Sequence, residues 1–144
     1  MNNYYGLDCI YPKLRNNGKF LYNYGAMLTL TRQYDTALPL LKESKNRFTD
    51  PNFYIVLAEC YENTGNYEKA ERYYRHAAYM IPHKMYPFYR LALFYLDNGN
   101  KQQADDIAHK ILSMDAKIHS TAVDEIKEEM RLLLEFDVAD SKNK

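Results

Sequence analysis

The chain of 144 residues has no tryptophan, two cysteines and five each of glycine and proline. Two cysteines, Cys9 and Cys60, make no disulfide framework and leave the redox compartment unread. Net charge is also missing: 19 Lys/Arg face 19 Asp/Glu, so no global field draws the chain to nucleic acid or to anionic lipid. Residues 1–50 are net +3 and residues 101–144 net −3, a gradient too mild to name a partner. No apolar run approaches the roughly 18 residues of a membrane span, and Met1-Asn2-Asn3 opens no signal peptide. The chain as given is expected to be soluble. What it does have is tyrosine, 15 of them. Most fall at helix-packing positions, where the ring packs and the hydroxyl reaches an edge.

The clearest pattern runs from Asp50 to Lys84. Tyr54, Leu57, Ala58 and Tyr61 are spaced i, i+3, i+4, i+7 and share one helical face. Thr64-Gly65-Asn66 breaks that helix, with Gly65 where a left-handed helix end favours glycine. A second helix offers Tyr67, Ala70, Tyr74 and Ala77 on its inner face, and Pro82 stops it. Ala58, Ala70 and Ala77 leave room for close helix contact. Cys60, between core positions, reads as a small apolar filler. A helix–turn–helix unit of about 34 residues with these positions resembles the tetratricopeptide (TPR) repeat, with Tyr54 at a position often tryptophan.

The same register recurs on either side. Repeat one, 18–50, shows Leu21, Tyr24, Gly25 and Leu28, then Tyr34, Ala37, Leu41 and Ser44; Pro39 is expected in the first turn of its second helix. Repeat three, 85–118, shows Phe88, Leu91, Ala92 and Tyr95, the turn Asn98-Gly99-Asn100, then Ala104, Ala108 and Ile111. Lys101 replaces the aromatic of Tyr34 and Tyr67. Ahead of them, Tyr4, Leu7, Tyr11 and Leu14 form a stripe over 4–15 that Pro12 either kinks or ends, so the chain reads as beginning mid-repeat. A final helix over 120–136 places Ile126, Met130, Leu133 and Leu134 on one stripe, with Thr121 and Asp124 resembling a capping box. It is expected to cap the last repeat, leaving 137–144 frayed. The expected fold is all-α, a right-handed TPR-type α-solenoid forming one domain over 1–136.

No catalytic pattern stands out. His76, His83, His109 and His119 make no HExxH and no i, i+4 pair, and Asp105-Asp106 and Glu128-Glu129 lie on polar helix faces as solvated charge. Glycine-rich phosphate loops and GxSxG are absent. A Cys60 nucleophile with a distant histidine would need a cleft that this fold does not supply by default. The reading is no enzyme, with no catalytic, cofactor-binding or metal residues and no cofactor.

The TPR resemblance implies a concave groove lined by the first helices. Its ligand-contact positions fall on Lys19, Tyr22, Ala26, Thr29 and Leu30; on Asn52, Ile55, Glu59, Glu62 and Asn63; and on Tyr86, Tyr89, Leu93, Leu96 and Asp97. Chaperone-binding TPRs clamp a C-terminal carboxylate with Lys, Asn and Arg at set positions. Here Tyr22, Ala26, Val56 and Tyr86 replace them, and only Arg90 matches. What remains is an aromatic and apolar floor with acidic edges, suited to a protein or peptide segment rich in apolar and basic residues. Alternatively, some of these tyrosines only pack on the neighbouring repeat or on the N-terminal helix.

Met80-Ile81-Pro82-His83-Lys84-Met85-Tyr86-Pro87-Phe88-Tyr89 and Ser120–Met130, with Tyr11-Pro12-Lys13-Leu14 and Phe20-Leu21, are similar to the TPR tail of bacterial O-antigen ligase/polymerase-like membrane proteins. That resemblance implies a protein-interaction scaffold attached to a surface-polysaccharide assembly protein, on an unspecified side of the inner membrane. Two rivals stand beside it. One is a free-standing, cytoplasmic TPR adaptor; the other is a carbohydrate-binding module using the aromatic groove. Neither the oligomeric state nor the partner is legible.

Overall fold

The computed structural model describes residues 16–45, 47, 50–115 and 120–142. The expected leading helix over 4–15 lies outside them. The helices are α1 (Gly18–Leu30), α2 (Tyr34–Ser44), α3 (Pro51–Asn63), α4 (Tyr67–Met80), α5 (Met85–Asp97), α6 (Lys101–Ser113) and α7 (Thr121–Lys142). No strand occurs among the described residues. The chain divides into two compact units, Met1–Ala77 and Ala78–Lys144.

The turns set the register. After α1, Arg32 N–H donates to the Thr29 carbonyl (3.0 Å) and Gln33 N–H to that of Leu28 (2.8 Å). After α3, Gly65 N–H reaches Glu62 (3.2 Å) and Asn66 N–H reaches Tyr61 (2.8 Å); after α5, Gly99 reaches Leu96 (3.2 Å) and Asn100 reaches Tyr95 (2.8 Å). All three are Schellman closures, in which one residue takes left-handed backbone and two carbonyls of the last turn are satisfied. Gly65 and Gly99 have φ of 87° and 77°; Arg32 reaches 62° with a side chain. Each bend returns the chain into an antiparallel partner helix, as short helix–helix connections do.

In the first unit, Leu21, Leu28, Ala37, Leu40, Leu41 and Ser44 are buried between α1 and α2. Gly25 permits the approach: a Cβ there would lie 2.8 Å from Leu41 Cδ2. Leu57, Ala58, Tyr61, Ala70, Tyr74 and Ala77 form the core of the next pair. Tyr67 does not join them. It is 53 % exposed, because at the first position of α4 its side chain leans back over the turn instead of into the interface. Pro39 is also placed differently from expectation. α2 starts at Tyr34, so Pro39 falls inside the helix, on an exposed position. Its ring removes the N–H that would bond the Asp35 carbonyl.

In the second unit, Phe88, Leu91, Ala92 and Tyr95 of α5 pack with Ala104, Ala108 and Ile111 of α6. Tyr79 meets Phe88 edge-on at 5.2 Å. α7 buries Met130 and Leu133 and is tied down by two lysines. Lys101 Nζ donates to the Leu133 carbonyl (3.0 Å), and Lys127 Nζ to the Met114 carbonyl (2.9 Å). Its cap is Ser120, not Thr121: Ser120 Oγ accepts from Val123 N–H at 3.3 Å. At its other end the helix runs to Lys142, past the expected stop at 136. Asp-Val-Ala-Asp-Ser-Lys contains no glycine or proline, and extending an existing helix needs no new nucleus.

Candidate partner-binding site

α5 and α7 leave a cleft of about 440 Å³, lined by Leu93, Leu96, Lys101, Glu129, Met130, Leu132, Leu133 and Phe136. Leu96, Leu132 and Phe136 are 39 %, 54 % and 71 % exposed, so apolar side chains stand open to solvent along this face. Exposed apolar residues grouped around a concavity carry more meaning than the same residues scattered singly. One wall is polar but occupied. Lys101 Nζ donates to Asp105 Oδ1 (2.6 Å) as well as to the Leu133 carbonyl. Glu129 Oε2 accepts from the Tyr89 hydroxyl at 2.7 Å. Burial, then the bonded Glu129 carboxylate, pushes the Tyr89 phenol up to about 12, with Arg90 opposing weakly.

The expected groove residues of the second unit sit around this cleft unevenly. Leu93 lines it, and Tyr89 reaches it through Glu129. Tyr86 is half exposed, 6.2 Å from the Tyr89 ring, and its hydroxyl accepts from Arg90 Nη1 at 3.2 Å. Asp97 is exposed at the end of α5. Sequence reasoning missed the α7 side, having assigned that helix to capping alone. The signal was present: Leu132 and Phe136 are four apart and lie off the Ile126–Met130–Leu133–Leu134 stripe, which makes a second apolar edge.

In the first unit the expected residues divide further. Tyr22 is half-buried against Phe53, ring centroids 5.8 Å apart, and its phenol is raised by burial and then by Asp50. Ala26 and Glu59 are half-buried. Glu62 accepts from the Tyr74 hydroxyl at 3.1 Å. Ile55 is corrected from a surface contact to core. It is 3 % exposed, and a side chain with no accessible face cannot bind a partner. Thr29 is buried as well, its hydroxyl donating to the Gly25 carbonyl (2.8 Å) and lying 3.1 Å from Cys60 Sγ. Burial pushes the Cys60 thiol up to about 11, Thr29 opposing and Glu59 adding. That sulfur is a packed thiol and a poor nucleophile. No group of three or more metal-ligating side chains occurs among the described residues.

Residues 51–84 match the tetratricopeptide-repeat family model. Among solved structures, the chain is similar to PcrH from Pseudomonas aeruginosa, at 19% identity over 82% of this chain and 89% of that one, TM-score 0.68. The Sgt2 TPR domain from Aspergillus fumigatus matches at 20% identity, covering 82% and 79%, TM-score 0.64. The Yersinia enterocolitica type III secretion chaperone SycD, solved with a peptide of the translocator YopD, matches at 20% identity, covering 79% and 92%, TM-score 0.62. No curated protein sequence matches. The fold is a TPR solenoid. No helix among the described residues is long and apolar enough to cross a membrane.

Proposed function

We infer that the chain is a non-catalytic protein-interaction module whose second unit takes an apolar peptide segment. The observation that carries this reading is the cleft of Leu93, Leu96, Leu132, Leu133 and Phe136, open to solvent and built on a packed α5–α7 support. SycD, of like fold, holds a translocator peptide, which favours a peptide over a small ligand. Glu129 brings an acidic group to this cleft, while the Lys101 ammonium is engaged by Asp105 and Leu133. A segment with apolar anchors and flanking basic residues is therefore the best complement. Attachment to an O-antigen ligase/polymerase-like protein rests on the sequence resemblance alone, and a free-standing adaptor fits the cleft equally well.

The test is a peptide panel with apolar anchors at i, i+3 and i+4, flanked by lysine or by glutamate, measured against the parent and Leu132→Ala/Phe136→Ala. Both side chains are exposed, so stability should hold while affinity falls; one aromatic anchor can carry about 2 kcal/mol. Salt should weaken binding only modestly, since the anchors are apolar and the charged flanks add a small, screened part. The reading fails if glutamate-flanked peptides bind best, if a glycan binds in their place, or if the double variant binds as the parent does.

A further inference from the structure

A second cleft, of about 250 Å³, lies wholly within the first unit and is lined by Lys45, Tyr54, Arg72, Tyr73 and His76. Its wall is a ring stack. Tyr54 and Tyr73 are 6.0 Å apart and 16° from parallel; Tyr61 continues the stack onto Tyr73 at 5.7 Å and 7°. His76 abuts Tyr54 edge-on at 4.3 Å. The cations are held at the rim of this wall. Lys45 Nζ donates to the Tyr73 hydroxyl (2.9 Å) and lies 5.0 Å from the ring centroid. Lys42 and Lys69 lie over Tyr61 at 5.7 and 5.4 Å. Arg72 faces Glu68 at 3.7 Å, with side chains 66% and 87% exposed, a contact that contributes little and yields readily.

These features converge on an anion. Lys45 has three donors and its bond to Tyr73 uses one, and Arg72 offers a five-donor fork. The Tyr73 and Tyr61 rings attract the cations beside them and so hold the lysine ammonium groups in place. The volume lies below the roughly 300–1,000 Å³ of small-molecule pockets, which admits a single side chain and excludes a cofactor. We propose that this cleft binds an acidic peptide segment, one carboxylate or phosphate seated between Lys45 and Arg72 and the carbon skeleton that bears it packed on Tyr54 and Tyr73. Carboxylate and phosphate share this chemistry, and the probes below separate them.

The whole chain is titrated with a short peptide of glutamates around one tyrosine, and with the same peptide phosphorylated on that tyrosine. Binding is followed by calorimetry and by the resonances of Tyr54, Tyr73 and His76. At least one peptide should move those resonances; the phosphorylated form binding better identifies phosphate as the preferred group, and equal binding identifies carboxylate. Lys45→Gln/Arg72→Gln should weaken binding by about tenfold or more, with the circular dichroism unchanged because both side chains are exposed. Raising salt from about 50 to about 500 mM should weaken it further. The control pair Lys84→Gln/Arg131→Gln removes the same charge elsewhere and should leave affinity within about twofold. The proposal is overturned if neither peptide moves these resonances, if only anionic phosphatidylserine vesicles do, or if the control pair loses as much affinity as the cleft pair. The cleft of the second unit is untouched by these variants, so either reading can fail alone.

Discussion

Arg32 occupies the bend that Gly65 and Gly99 occupy in the two later repeats, and it carries the same pair of carbonyl contacts with a φ of 62°. A side chain in left-handed backbone costs about 1–2 kcal/mol, whereas glycine takes it without that steric cost. Glycine also has the greater unfolded-state entropy, which offsets part of the gain. Arg32→Gly should therefore stabilise the chain by up to about 1 kcal/mol, and Gly65→Ala should destabilise it by about the same amount. Urea midpoints of the two variants decide the matter; an Arg32→Gly midpoint below the parent's would contradict it. Gly65 and Gly99 announce this bend in the sequence through their residue type. Arg32 does not, and only its place 33 positions before Gly65 gives it away. The burial of Ile55 and Thr29 was likewise hidden, because a 3.6-residue period gives a face but not which neighbour covers it.

At the scale of the element, α7 shows which part of a helix is legible. Of the stripe expected from spacing, Met130 and Leu133 are buried, while Ile126 and Leu134 are half-buried. Its end was not readable, since 137–142 carries no breaker and no strong apolar repeat. Its expected role was capping alone, yet Leu132 and Phe136, off the buried stripe, line the cleft. The two kinds of residue should separate by experiment. Met130 is 1 % exposed, so Met130→Ala leaves a cavity and should cost about 2–5 kcal/mol. Phe136→Ala, at 71 % exposure, should stay within about 0.5 kcal/mol. Thermal melts of both variants read this directly. Equal losses would mean that Phe136 is structural and that the cleft is part of the core.

Over the whole molecule, the repeat period gave the fold class, because three bends in one register admit few other architectures. The many tyrosines have a consequence that the period does not reveal. Cys60, Tyr22, Tyr61, Tyr89 and Lys45 are all raised from their ordinary values. For the thiol and the phenols the first cause is burial, which disfavours the anion; for Lys45 it is the bond to Tyr73, which favours the cation. In every case the folded chain holds its proton more tightly than the unfolded chain does. Their stabilisation is complete below the unfolded values and is lost as pH rises toward the folded ones. Cys60 leads, between its ordinary value of 9 and about 11, and Tyr89 follows between 10 and about 12. With Cys60 fully buried, its share is about 2–3 kcal/mol at the alkaline end of that window. The urea midpoint should hold level from neutrality to about pH 9 and then fall steadily. Cys60→Ala should remove the first part of that fall while leaving the later, tyrosine-driven part. A midpoint independent of pH up to 11, or a Cys60→Ala profile parallel to the parent's throughout, would show that the buried thiol and phenols do not control alkaline stability.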